Sequence, residues 1–179
     1  SSESDLEHIY NTYDFKSHIG LLDRAEKIID SIVSGKLSKC ICAPQLNLEI
    51  DRDTYDKIIL VPGQIADGAS IRLGGLGMTN SSLIEQIRKN NPASYIVFKP
   101  HPDVVADNRQ GHLKEDYVLT YCDQIVSDLC IDMCICAIDE VHTITSLSGF
   151  KAILHNKKVV TYGLPFYANW GLTEDLHTC

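Results

Sequence analysis

DEVHTITSLSGFKAILHNKKVVTYG (139–163) is the stretch that decides the fold. It opens on a short apolar run, DEVHTI (139–144), that suits a buried strand. After a joint rich in Thr and Ser, LSGFKAILHN (147–156) reads as a helix and KVVTYG (158–163) as a second strand. A strand, a helix and a strand in so short a span leave a parallel pair joined by a right-handed crossover.

Upstream the alternation repeats. KIILV (57–61) is closed by Pro62 and Gly63, and YIVFK (95–99) is ended by Pro100. Between them, Asn80 to Asn90 reads as a helix with Leu83, Ile84 and Ile87 on its apolar side. Residues 116–126 are expected to be helical, and 128–138 a short helix or an irregular apolar stretch. Nearer the start, 17–34 reads as a helix, with Leu21, Leu22, Ala25, Ile28, Ile29 and Ile32 recurring on one face and Gly35 as its stop. Residues 40–56, with Pro44 and the polar run DRDTYD, read as a linker or the edge of another domain. The expected fold is therefore α/β, a Rossmann-like parallel sheet flanked by helices. Residues 1–56 form an N-terminal helix and linker, and 57–179 the Rossmann-like domain.

The 179 residues carry a formal net charge of −8, with 44% hydrophobic and 22% charged residues. That composition suits one soluble globular domain with a real core. The acidic balance argues against nucleic acid as a partner, which needs a basic surface. No apolar run is long enough to span a bilayer. The start, SSESDLEHIY, lacks the basic and apolar regions of a signal peptide, and with no initiator Met the chain reads as a piece of a longer one. The seven cysteines are Cys40, Cys42, Cys122, Cys130, Cys134, Cys136 and Cys179. An odd number without a leader argues against a disulfide framework. A zinc site at Cys130, Cys134 and Cys136 lacks a second pair at the usual spacing, so small buried residues in a reducing cytoplasm are expected, with no metal.

In parallel sheets, ligands bind where strands end and helices begin. Four loaded loops fall at those points: 62–70, 100–103, 145–149 and 163–170. In KPHPD (99–103), Pro100 and Pro102 fix the backbone on both sides of His101, so its imidazole is held where it can donate to a departing oxyanion. Lys99 or Arg72 would add positive charge; the plain alternative is a turn with a surface histidine. In TSLSGF (145–150), Thr145, Ser146 and Ser148 can cap the helix or, with its first amides, hold an anion. PGQIADGASIRLGG (62–75) is a glycine-rich loop without the Gly-Lys-Ser/Thr end of a Walker loop. Its only carboxylate, Asp67, is either a nucleophile or base at a sugar carbon or half of a turn-forming Asp-Gly pair. In GLPFYANWGLTED (163–175), Phe166, Tyr167 and Trp170 either cover a base or sugar ring or contact a further domain.

The stretches VPGQIADGASIRLG (61–74), FKPHPDVVADNRQG (98–111), DEVHTITSLSGFKAIL (139–154) and KKVVTYGLPFYANWGLTED (157–175), in this order, resemble the capsule polysaccharide biosynthesis family. The likeness runs from about residue 20 to the end, and the chain is more similar to the C-terminal of the two units found in the longest members. The resemblance implies the donor-binding half of a GT-B-type glycosyltransferase. Such an enzyme transfers Kdo from CMP-Kdo, with retained configuration, to a capsule-linker saccharide on a lipid carrier. Partners would be the CMP-sugar donor, the lipid-linked acceptor and an acceptor-side domain of the same protein; no metal or other cofactor is implied. The setting would be cytoplasmic, with peripheral contact at the inner membrane allowed. The histidine of the HP motif is similar to that of GT-B sialyltransferases, where it contacts the phosphate and assists departure of CMP. On that likeness the catalytic candidates are His101 and Asp67. CMP and phosphate contacts fall on Gln64, Lys99, His101, Pro102, Thr145, Ser146, Ser148 and Gly149, and ribose or base contacts on Asp128, Glu140, Gly163 and Phe166. The sequence departs from the family pattern at Ala66-Asp67-Gly68, where an acidic pair or triplet is usual. CMP binding is thus the firmer expectation for this piece than turnover. Alternatives are another CMP- or CDP-substrate enzyme on the same scaffold (a sialyltransferase or a glycerophosphotransferase), an epimerase that also uses the GT-B fold, and a non-catalytic nucleotide-binding or interaction domain.

Overall fold

The computed structural model describes residues 4–34, 50, 52–106 and 110–178. The chain divides into two units, Ser1–Lys39 and Cys40–Cys179. The first holds helices α1 (Asp5–Thr12) and α2 (Ile19–Val33), with a 3₁₀ turn at Phe15–Ser17 between them. A capping box starts α1: the Ser4 hydroxyl accepts from Glu7 N–H while the Glu7 carboxylate accepts from Ser4 N–H at 2.6 Å. The Ser-x-x-Glu spacing marks this helix, which the apolar periodicity alone does not reveal. Helix α2 confirms the helix expected over 17–34, yet it contains no buried residue; Leu21, Leu22 and Ile28 of its apolar face are exposed. Gly35 and most of the expected linker lie outside the described residues.

The second unit runs β1 (Ile58–Pro62), α3 (Ala69–Gly74), α4 (Asn80–Asn90), β2 (Tyr95–Lys99), α5 (Pro102–Val105), α6 (Glu115–Tyr121), β3 (Gln124–Ile125), α7 (Ile131–Ala137), β4 (Glu140–Thr143), α8 (Leu147–Leu154), β5 (Lys158–Thr161) and β6 (Glu174–Asp175). The sheet order is β3-β2-β1-β4-β5-β6 and every pairing is parallel. This is the doubly wound order, with its switch point between β1 and β4. Alternate residues of β1 serve two cores. Ile58 and Leu60 pack with Val141, Ile135 and Ala152 on one face; Ile59 and Val61 pack with Leu83, Ile84 and Ile87 on the other. Burial on both faces is why the strand reads as a continuous apolar run rather than an alternating one.

Two aspartates set the start of the strands. Asp139 Oδ2 accepts from Ile58 N–H at 2.8 Å, and Asp123 Oδ2 from Ile96 N–H at 2.7 Å. Arg52 and Arg88 neutralise them. The helix expected over 116–126 is corrected: it ends at Tyr121, Cys122 is extended, and β3 follows. Two-residue strands such as β3 and β6 are too short to show a period. Among the described cysteines, Cys122 and Cys134 are buried, and burial pushes the Cys122 thiol up to about 12. Cys136 is exposed, contrary to the expectation of burial. Cys40, Cys42 and Cys179 lie outside the described residues. No described helix is long and apolar enough to cross a membrane.

Candidate functional site

The strands stop abruptly at their C-terminal ends. Pro62, Pro100 and the Thr145–Ser146 joint turn the chain away, and the loops part on either side of the switch point. Between them lies a cleft of about 510 Å³, walled by 62–65, 99–102, 127–131 and 145–148 with Gly68 and Ser70. That volume suits a nucleotide-sized ligand.

His101 is held as expected, with extended backbone between its two prolines and as the N-cap of α5. Its Nδ1 accepts from Asp103 N–H at 3.2 Å. An amide can only donate, so Nδ1 is the acceptor of this bond and Nε2 is left as the ring nitrogen able to donate. Lys99 is buried beneath, its Nζ donating to the carbonyls of Val126 (3.4 Å) and Ser127 (3.2 Å). Carbonyl dipoles hold the ammonium without neutralising it, and Asp128 is the one acid among the lining residues. The wall thus favours an anion.

Ser146 caps α8, its Oγ accepting from Ser148 N–H at 3.2 Å. The Ser146 and Gly149 amides are also taken, by Thr143 Oγ1 and the Ser146 carbonyl. The anion site is therefore less one of bare helix amides than expected; the joint presents the hydroxyls of Thr145, Ser146 and Ser148, all on the cleft wall.

Of the remaining expected site residues, Pro102 and Asp128 line the cleft. Gln64 lines it too, but its carboxamide is engaged with Thr143 and Thr145. Asp67 is exposed in the turn before Gly68, and Arg72 is exposed on α3; neither lines the cleft. Four assignments are corrected by placement. Glu140 begins β4, at the opposite edge of the parallel sheet, bound to Lys57 and His142. A side chain at Gly149 would strike the Tyr167 hydroxyl, so this glycine serves close packing, and it is not among the residues that line the cleft. Gly163 lets its loop cross α3, since a Cβ there would lie 2.6 Å from Gly74 O. Phe166 is exposed, packs tilted against Phe150 and edge-on against Tyr167, and is not among the cleft-lining residues. Sequence reasoning misses the parts played by Thr143, Asn80 and Tyr167. Thr143 and Asn80 read as plain strand and helix positions, and Tyr167, one of the loop aromatics, instead donates to Ser146 O behind the joint.

The chain matches the family described as "Capsule polysaccharide biosynthesis protein" over residues 10–179. It is similar to the "Capsule polysaccharide modification protein LipA" of Neisseria meningitidis serogroup A, 52% identical over 124 residues, covering 69% of this chain and 18% of that protein. It is also similar to the "Lipopolysaccharide-processing protein LpsZ" of Rhizobium meliloti, 32% identical over 176 residues, covering 98% and 40%. Among solved structures, the KpsC beta Kdo 2,7 transferase of Thermosulfurimonas dismutans superposes with a TM-score of 0.73 at 34% identity, covering 97% of this chain and 51% of that one. The beta Kdo 2,4 transferase of the same organism's KpsC gives 0.74 at 25% identity, covering 89% and 50%. The chain thus spans about half of these structures and less of the curated relatives.

Proposed function

The chain belongs to the capsule polysaccharide biosynthesis protein family, and we propose that it is the donor-binding half of a retaining GT-B-type Kdo transferase that takes CMP-Kdo. The observation that carries this reading is the convergence of His101, Lys99, Thr145, Ser146 and Ser148 on one cleft at the switch point. The solved relatives that share the fold are described as Kdo transferases, which supports the sugar.

In this reading the CMP phosphate lies between the HP loop and the start of α8. The Thr145, Ser146 and Ser148 hydroxyls and the His101 Nε2–H donate to its oxygens, and Lys99 supplies charge from below. As the bond from the sugar carbon to the phosphate oxygen breaks, its electron pair stays on CMP. Donors already aimed at that oxygen stabilise the growing charge, and His101 can give it a proton. No metal is needed for this step, since protein donors surround the anion. Asp128, on the cleft wall, is the ribose candidate, and Asp67, in the turn beside the rim, the carboxylate at the sugar carbon. The acceptor is a lipid-linked saccharide bound by the remainder of the protein, in the cytoplasm and at the inner membrane.

Calorimetric titration of this chain with CMP, cytidine and UMP tests the reading. Saturable CMP binding at least about tenfold tighter than cytidine is expected, the difference being the phosphate seat. Equal affinity for CMP and cytidine would overturn it.

A further inference from the structure

Gln64 is buried between the β1 and β4 loops, and its carboxamide has a fixed direction. Thr145 N–H donates to Oε1 at 2.9 Å, and Thr143 Oγ1 donates to the same oxygen at 3.2 Å. Because a backbone amide can only donate, Oε1 must face it, and Nε2 must face Thr145 Oγ1, 2.9 Å away. The main chain is pinned as well: Gln64 N–H donates to Asn80 Oδ1 at 3.0 Å, and Asn80 Nδ2 donates to Gln64 O at 2.7 Å. Thr143 Oγ1, its proton given to Gln64, accepts from Ser146 N–H at 3.1 Å.

We propose that Gln64 is a positioning residue for the anion seat: by donating to Thr145 Oγ1 it turns that hydroxyl's own proton into the cleft. A hydroxyl that accepts from Nε2 keeps one proton to give, and Thr145 lines the cleft. The same carboxamide, through Thr143, fixes the Ser146 amide at the start of α8. Gln64 thereby ties together the two loops that flank the switch point, without touching the ligand. This inference rests on the phosphate seat proposed above and replaces direct CMP contact by Gln64.

Gln64→Glu keeps the shape and reverses the one donor. The introduced carboxylate, when ionised, only accepts, so Thr145 gives its proton to it and loses that proton for the phosphate. Once protonated, the introduced carboxyl regains a donor, and burial raises such a group toward the range where this is measurable. CMP affinity of the 179-residue chain is read at about pH 8 and about pH 5, on either side of that range. The proteins compared are wild type, Gln64→Glu, Thr145→Val and the double variant, with thermal melts alongside. At the higher pH, Gln64→Glu and Thr145→Val should each bind CMP about tenfold more weakly, and the double variant no more weakly than about threefold beyond either. At the lower pH the gap between Gln64→Glu and wild type should close to within about threefold, while Thr145→Val stays weak. Additive losses in the double variant overturn the inference, because plain repulsion by the introduced carboxylate does not depend on Thr145. A Gln64→Glu loss that is the same at both pH values, or no loss, also overturns it. If Gln64→Glu fails to melt cooperatively at the higher pH, Thr145→Val alone decides, and wild-type affinity there overturns the idea. Wild type that does not bind CMP overturns the proposed function itself.

Discussion

At the N-terminal edge of the sheet, Glu140 accepts from Lys57 Nζ at 2.9 Å and from His142 Nε2 at 2.9 Å, and Lys158 lies 3.4 Å from its other oxygen. His142 is itself closed off, its Nδ1 accepting from Tyr162 O–H at 3.1 Å. At the C-terminal edge, Lys99 and His101 meet two carbonyls and one amide, and face a cleft. Both edges hold a lysine and a histidine on adjacent strands or at their ends. One edge adds a carboxylate within hydrogen-bond reach of its lysine and histidine; the other holds its lysine with carbonyls and sets Asp103 only as near as 4.0 Å from His101. Interior electrostatics reward pairing, so a buried lysine held by carbonyls beside a cleft favours an anion there.

The largest expected effect comes from breaking the closed edge. Glu140→Ala leaves Lys57 and the buried His142 without their acceptor and should cost about 3 kcal/mol of unfolding free energy in urea titrations. CMP affinity of the folded variant should stay within about twofold of wild type, because the change is at the far end of β4. A pH series sharpens the point. The hydrogen bond from His142, then the Lys57 bond and charge, outweigh burial and hold the Glu140 carboxyl down to about 2 from its ordinary 4.5. Stability from a depressed carboxyl is complete above 4.5 and is lost as pH falls toward 2. Burial, outweighing the pull of Glu140, lowers His142 as well, so the unfolded chain takes up that proton first and stability starts to fall below about 6.5. Wild type should therefore weaken progressively with acid from there, and Glu140→Ala should lack the portion between 4.5 and 2.

His101→Ala breaks the open edge instead. It removes one charge-assisted donor and should weaken CMP binding by about 2 kcal/mol, roughly thirtyfold, by calorimetry. The unfolding free energy should move by less than about 1 kcal/mol, since only the cap of the short helix α5 is lost. If His101→Ala instead cost stability and spared CMP, the two edges would not differ in kind.

The contrast also explains what is legible in the sequence. The loops that hold the open edge advertise themselves, because proline, glycine, serine and threonine between apolar runs have few uses except turns, caps and anions. His101, Ser146 and Ser148 are legible that way, as is the alternation of strands and helices. Glu140 is misplaced by sequence reasoning for a related reason: residue type says that a buried acid is special, and only position on the strand says at which edge. The roles of Gly149 and Gly163 depend on which loops cross them, a matter of tertiary contact. Gln64 can be placed in a loaded loop, but the direction of its amide depends on Thr143 and Thr145, far away in sequence. Strands β3 and β6 escape because two residues carry no period.

Ser146 belongs in part to both edges' logic, and that makes its substitution the finest test. Its Oγ accepts the Ser148 amide, which is a structural bond, and the residue also lines the cleft with a hydroxyl proton still to give. Ser146→Ala should therefore lower the unfolding free energy by about 1 kcal/mol through the lost cap and CMP affinity by about 1 kcal/mol through the lost donor. Ser148→Ala, whose hydroxyl lines the same wall without capping the helix, should lower affinity by a similar amount and leave the melt nearly unchanged. If Ser146→Ala moved only stability, the start of α8 would be an ordinary cap and the phosphate would have to sit nearer His101. If both variants moved affinity but only Ser146→Ala moved the melt, one hydroxyl would be shown to serve the fold and the ligand together.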